Sequence, residues 1–293
     1  VRIRHRVLSL DTANRAVFVR NLDTGEEFED RYDRLILATG ASPVFPPIEG
    51  IGRTGVFGLR TLGDLLEIDS WIRKQDPRRA VIIGTGFIGM EVCENLKHRG
   101  LEVTLVEKEP QANPGLDRDV AAYIEEHLDA QGVGLSLDAV VERIDSGGVV
   151  LSTGQVLPSD LTIVATGVRP QTALAREAGI ALGVTGAIQV DERMQTSAEG
   201  VFACGDCVQL THRVTGEPVY APLGSTANKT GRVAGDAATG GPLTFPGILG
   251  TSIYRVFDRT VARTGLTEDE ARAKGFDVVL CHNIKPDRPA YLG

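Results

Sequence analysis

No apolar run in these 293 residues reaches the length of a bilayer span, and no signal-peptide pattern opens the chain. A membrane protein is therefore not expected. Cysteine is scarce: Cys93, Cys204, Cys207 and Cys281 are too few and too scattered for a disulfide framework, which suits a reducing cytoplasm. The five histidines lie far apart and none pairs with a cysteine or carboxylate at a metal-ligand spacing, so no metal site is predicted. Basic blocks are also missing. With a formal net charge of −8, the chain has no surface signature of a general nucleic-acid binder. What remains is an ordinary globular composition, long enough for two domains with buried cores.

What the chain does carry is a glycine fingerprint, Gly84-Thr85-Gly86-Phe87-Ile88-Gly89, directly after the apolar run Ala80-Val81-Ile82-Ile83. Glu107 ends the next apolar run, Leu101 to Val106. Strand, glycine turn, helix and a terminal acid in that order describe a nucleotide-binding βαβ unit. Gly84 permits the tight turn, Gly86 lets the backbone approach a pyrophosphate, and Gly89 lets the helix pack close to the sheet. The helix start then offers free N–H groups and a positive dipole end to the phosphates. Lys97, His98 and Arg99 fill the helix's last turn, and Gly100 stands at C′. Glu107 is expected to take the adenosine ribose hydroxyls and to repel a 2′-phosphate, favouring NADH over NADPH, with Lys108 beside it able to soften the preference.

An internal echo flanks this unit. Ala16-Val17-Phe18-Val19, a turn at Asp23-Thr24-Gly25 and the run Leu35-Ile36-Leu37 end in Ala38-Thr39-Gly40. Val149-Val150-Leu151, a turn at Thr153-Gly154 and the run Leu161 to Val164 end in Ala165-Thr166-Gly167. Each reads as a hairpin feeding a central strand, and the small residues closing it suit a cofactor's close approach. In the second copy the fingerprint stands well upstream of Thr166, whereas Thr39 leaves no room for the same spacing. The first copy's own fingerprint is thus expected before Val1, with one dinucleotide domain inserted into the other.

Downstream, the apolar stretch Gly200 to Ala203 delivers Asp206 to a loop, where it serves either the ribityl hydroxyls of a flavin or an ordinary Gly-Asp turn. Ser225 to Ala238 reads as a helix with Ser225 as N-cap, its positive end suited to the anionic edge of a reduced flavin. From Gly247 the pattern changes. Ile253 to Phe257 and Thr260 to Thr264 read as a hairpin turning at Asp258-Arg259; Thr267 to Glu270 is a capping box for a helix stopping at Gly275; Phe276 to Leu280 reads as a strand.

Together, Leu35 to Pro43, Gly84 to Glu91, Ala165 to Pro170 and Val201 to Cys207 resemble the pyridine nucleotide-disulfide oxidoreductases, over essentially the whole chain. Pro222 to Arg232 and Val256 to Leu266 are most similar to the branch of coenzyme A-disulfide reductases, NADH oxidases and NADH peroxidases. The resemblance implies an α/β fold with two Rossmann-like three-layer domains. Residues 1–62 and 171–240 would form the FAD domain, 63–170 the inserted NAD domain, and 241–293 the start of an α+β dimerisation domain. It implies FAD and NAD(H), NADP(H) less so, a homodimer, and a small-molecule acceptor: a disulfide, a peroxide or oxygen.

Ala38, Thr39 and Gly40 would line the FAD site, Asp206 hold the ribityl chain and Ala227 offer its amide to the flavin. Phe87 would gate the flavin, Glu91 hold the nicotinamide carboxamide, and Ile88, Glu107 and Gly167 line the NAD site. The family's redox cysteine would lie upstream of Val1. Cys204 and Cys207 form a C-x-x-C that invites a dithiol reading, yet Gly205 and Asp206 between them match the flavin motif. Two alternatives stand beside this: a ferredoxin or rubredoxin reductase needing no cysteine, and a nucleotide-binding module without turnover.

Overall fold

The computed structural model describes residues 1–285, so the last stretch of the expected third domain lies outside the described residues. In the first part run β1 (His5–Asp11), β2 (Ala16–Asn21), β3 (Glu27–Arg31), β4 (Leu35–Leu37), β5 (Ala41–Pro43), β6 (Val56–Gly58) and α1 (Leu62–Gln75). The βαβ unit follows as β7 (Arg79–Ile83), α2 (Phe87–His98), β8 (Glu102–Val106), α3 (Arg118–Ala130) and β9 (Gly134–Ser136). Next come β10 (Val141–Asp145), β11 (Gly148–Leu151), β12 (Val156–Leu157), β13 (Leu161–Val164), β14 (Val168–Pro170) and α4 (Ala173–Glu177). The remainder holds β15 (Ile188–Gln189), β16 (Val201–Ala203), β17 (Val208–Thr211), β18 (Pro218–Val219), α5 (Gly224–Ala238), β19 (Ser252–Val256), β20 (Arg259–Arg263) and α6 (Glu268–Ala273).

The α/β expectation holds. Strands β6, β13, β7, β8 and β9 lie side by side in that order as one parallel sheet. Its middle strands are apolar at consecutive positions because both faces are covered. Ala80 and Ile82 point into a cluster with Met90, Leu105, Leu128 and Ile163 from the helical side. Val81 and Ile83 point the other way, onto Val149, Leu151 and Leu157 of the meander β10–β11–β12. The result is three layers: helices, parallel sheet, antiparallel meander.

Strand pairing crosses the expected break between residues 62 and 63. Strand β6 pairs with β13, from Val56 beside Thr162 to Gly58 beside Val164, and Ile48 and Ile51 pack under the same sheet. Packing likewise crosses the expected break at 240: Phe245 and Ile248 join the cluster around Leu37, Val201 and Val233.

The echo is structural. Strands β1–β2–β3 form an antiparallel meander leading to β4, and β10–β11–β12 form another leading to β13. Strand β4 pairs in parallel with β16, Leu35 beside Val201. The two segments that leave the A-T-G turns, β5 and β14, pair with each other, Ala41 beside Pro170 and Pro43 beside Val168. Their bonding is reciprocal: the Thr39 hydroxyl donates to the Gln171 carbonyl (2.6 Å) and the Thr166 hydroxyl to the Val44 carbonyl (2.8 Å). The Gln171 amide donates to Gly40 and the Val44 amide to Gly167, both at 2.9 Å.

The third unit is a hairpin docked on the nucleotide unit. Tyr254, Val256, Phe257 and Val261 share a buried cluster with Met90, Cys93 and Leu105. The hairpin turns at Phe257-Asp258, one residue before the expected Asp258-Arg259, since Arg259 already pairs with Val256. Tertiary packing decides this: Phe257 is 7% exposed, adopts φ +53°, and gives its amide to Glu94 at 2.8 Å. The expected strand Phe276 to Leu280 does not form, and Val279 is 92% exposed. Phe276 instead completes the C-terminal cap of α6, its amide bonded to the Ala271 carbonyl and that of Gly275 to Arg272.

Candidate functional site

The fingerprint glycines differ in what surrounds them. Gly84 has φ +103°, and a Cβ there would meet the Ala165 carbonyl oxygen at 2.5 Å. A Cβ on Gly89 would meet the Gly84 oxygen at 2.2 Å. Gly86 has no heavy atom within 4 Å of its Cβ position, so this backbone faces open space, as a bound pyrophosphate requires. Gly86 is the N-cap of α2, without a side-chain cap and without an acid in the first turn. The first helical bond is made by the Met90 amide to Gly86, leaving the amides of Phe87, Ile88 and Gly89 for an anion.

Glu107 is 7% exposed and stands at the rim of a cleft of about 670 Å³, with Gly84, Gly86, Lys108, Thr166 and Gly167. Its Oε2 accepts from the Thr85 amide (3.0 Å) and hydroxyl (2.7 Å), and its Oε1 from the Glu109 amide (3.3 Å). Lys108 does not neutralise it, since the ammonium pairs with Glu109 at 3.3 Å. Gly86 and Gly167 also border a second cleft of about 680 Å³, where Phe87 and Ile88 face Tyr220, Pro222 and Leu223. Glu91 is exposed and lines neither; with Ile88, Arg60 and Asn95 it borders a third hollow of about 490 Å³.

Asp206 lies in a single helical turn after β16, behind Tyr220 of the second cleft. Its Oδ2 accepts from Arg60 Nη2 at 2.6 Å, while its Oδ1 is buried with no partner. Tyr220 donates to the Asp206 carbonyl at 3.0 Å, and burial first, then the Asp206 charge, pushes its hydroxyl up to about 12. Gly40 of the first A-T-G sits beside the same guanidinium, 3.7 Å from its Cβ position. Helix α5 aims its start at this region but begins at Gly224 with Leu223 as N-cap, so Ser225 is not the cap. The Ala227 amide donates to the Leu223 carbonyl, which leaves the amides of Gly224, Ser225 and Thr226 ahead of the first helical bond.

Residues 1–229 match the pyridine nucleotide-disulphide oxidoreductase family. The chain belongs to that family. The NAD(P)H sulfur oxidoreductase (CoA-dependent) of Pyrococcus furiosus is 39% identical over 268 residues, 89% of this chain and 60% of that protein. An NADH oxidase of Methanocaldococcus jannaschii is 37% identical, over 94% of this chain and 62% of that protein. A solved NAD-dependent persulfide reductase from A. fulgidus is similar with a TM-score of 0.90 at 41% identity, over 93% of this chain and 51% of that one. The chain thus spans about three-fifths of the length of the curated relatives it matches.

The family's cofactors, FAD and a nicotinamide dinucleotide, fit the residues present. The partnerless Asp206 Oδ1 is a buried acceptor, and hydroxyl donors such as those of a ribityl chain would satisfy it. The open Gly86 backbone and the free α2 amides fit a pyrophosphate. Neither Cys93 nor Cys204 is poised as a thiolate. Cys93 and Cys204 are buried, which pushes their thiols up to about 12 and about 11. Cys207 is buried too, 3.2 Å from the Cys204 carbonyl, and the pair is not bridged. Arg60, Thr85, Asn113 and Tyr254 escaped sequence reasoning. Arg60 meets Asp206 across 146 residues, and only its position before the Thr61 capping box sets it apart.

Proposed function

We propose that the protein is a FAD-dependent oxidoreductase that takes hydride from NADH and delivers electrons to a disulfide, polysulfide, peroxide or oxygen. The observation that carries this reading is the second cleft. There the start of α2, with Phe87, Ile88 and Gly167, confronts Tyr220 to Leu223 and the approach to α5. That confrontation supports a reading in which the two nucleotide sites open on one space. When bound, FAD supplies the chemistry of accepting hydride from reduced nicotinamide and handing electrons onward.

The chain's own residues orient and exclude. The α2 amides and Gly86 hold the dinucleotide phosphates, and Glu107 holds the adenosine ribose. Phe87 would shield the second cleft, and Glu91, reached past Ile88 from the neighbouring hollow, would hold the carboxamide. Asp206, Ala38, Thr39, Gly40 and the α5 start, around Ala227, hold the second cofactor. Glu107 lies where a 2′-phosphate would stand and Lys108 is paired elsewhere, which supports NADH over NADPH. The names of the relatives, a sulfur oxidoreductase and an NADH oxidase, support the range of acceptors. We propose a homodimer located in the cytoplasm; among the described residues no helix is long and apolar enough to cross a membrane.

An anaerobic NADH titration of the full-length protein tests the reading. Flavin absorbance is expected to bleach stoichiometrically, and an unaltered spectrum under excess NADH sinks it.

A further inference from the structure

A continuous buried hydrogen-bond chain runs from the third unit to the acid of the nucleotide site. Asn113 Nδ2 donates to the Tyr254 hydroxyl at 2.6 Å, and the Asn113 amide donates to Thr85 Oγ1 at 2.9 Å. The Thr85 hydroxyl donates to Glu107 Oε2 at 2.7 Å. The proton positions are determined by this order: Thr85 Oγ1 receives the Asn113 N–H, so its single proton goes to the carboxylate. Thr85 is 0% exposed, Asn113 4%, Tyr254 6% and Glu107 7%. No solvent competes for these bonds.

Asn113 holds φ +48°, a left-handed conformation that asparagine tolerates and that lets amide and side chain serve opposite partners. The segment between Glu107 and α3 is pinned to the third unit at two further points. Arg263 donates to the Gly115 carbonyl, and the Glu268 amide donates to Asp117 Oδ1 at 2.6 Å. Asp117 precedes α3 but caps nothing there; its carboxylate serves the start of α6 instead. The Tyr254 ring also lies 5.1 Å from the Phe87 ring, tilted by 41°.

We infer that Tyr254 is a positioning residue for coenzyme selection: through Asn113 and Thr85 it fixes the Glu107 carboxylate against the adenosine ribose and against a 2′-phosphate. This deepens the nucleotide-site reading above and rests on it. With its lone pairs on one side held by Thr85 and Glu109, the carboxylate keeps one orientation toward the cleft. Without the Tyr254 hydroxyl, Asn113 Nδ2 loses its acceptor, the Asn113 amide is held less firmly on Thr85 Oγ1, and the Thr85 donors orient Glu107 less tightly.

The test is equilibrium binding of NADH and NADPH to the chain, read by nicotinamide fluorescence and needing no turnover. The variants are Tyr254→Phe, which keeps the ring on Phe87, and Asn113→Gly, which keeps the left-handed backbone while cutting the same bond. Each is expected to weaken NADH about two- to tenfold, as for one buried neutral hydrogen bond, and to leave NADPH unchanged or tighter, so that the NADPH-to-NADH ratio of Kd values falls. Glu107→Gln collapses the ratio furthest. A purely structural role lowers both affinities together, and that result, or an unchanged ratio in both variants while Glu107→Gln changes it, overturns the proposal. If the unaltered chain binds no NADH, or Glu107→Gln leaves the ratio alone, the nucleotide-site reading itself falls.

Discussion

Asp160 precedes the strand that carries the second A-T-G, and four donors hold it charged. The Arg78 and Arg79 amides approach its Oδ2 at 3.1 and 3.0 Å, and the Arg79 guanidinium reaches both oxygens at 3.4 and 3.1 Å. The Arg79 side-chain hydrogen bond, above all, lowers its pKa below the ordinary 3.8 despite partial desolvation. The folded state thus binds its proton less readily than the unfolded chain. Its contribution is fully present above about pH 5 and fades as pH falls through 3.8 toward the depressed folded value. Allowing for solvent screening, Asp160→Asn should cost about 1 kcal/mol at pH 7. Urea midpoints of the two proteins should converge below pH 3.8; a difference that persists at pH 2 would count against the ion pair as its source. At this scale the sequence is informative about residues with local partners. Glu107 and Gly84 announce themselves by position within one βαβ unit. Tyr254 and Asn113, 141 residues apart, carry no mark of each other.

The βα turn of the nucleotide unit is the element where one motif contains two kinds of constraint. Gly89 is required by packing, because a Cβ there drives into the Gly84 carbonyl at 2.2 Å and forces α2 off the sheet. Gly86 is required only by the ligand: its φ is −68°, ordinary for any residue, and its Cβ position is empty. Gly89→Ala is therefore expected to destabilise by about 2 kcal/mol or more through strain in a packed turn. Gly86→Ala should fold within about 0.5 kcal/mol of the parent yet bind NADH at least about tenfold more weakly. Thermal unfolding paired with NADH titration separates them, and equal losses of stability would refute the distinction. Elements with a self-contained signal were legible in this way: β7, α2 with its Gly100 stop, and the Thr267 capping box. The turn at Phe257 and the missing strand after Gly275 were not. There the outcome depended on the core that receives Phe257 and on Phe276 being consumed in a helix cap.

For the molecule as a whole, the A-T-G echo was readable along the chain, but its geometric meaning was not. The unit around the parallel sheet is joined to the unit around β4 and β16 by two covalent crossings, and these pair over only three residues each. So short a two-stranded ladder is weak by itself. The Thr39 and Thr166 hydroxyls reinforce it from opposite ends, each donating to the carbonyl that leaves the other crossing. Because the bonds are reciprocal, the clamp behaves as one unit, and relative rotation of the two bodies must break both ends. The Arg60–Asp206 pair is a further tie between the bodies, away from the crossing. Thr39→Val and Thr166→Val keep side-chain shape and remove one donor each, at about 0.5–1 kcal/mol. Either single variant is expected to speed amide exchange at both Ala41–Val44 and Val168–Gln171, and the double variant to cost less than the sum of the singles, since opening one end already frees the other. Exchange that rises only in the crossing whose carbonyl lost its donor, with additive costs, would mean that the two strands are independent links and that the pairing of the A-T-G turns exerts no control over how the units move.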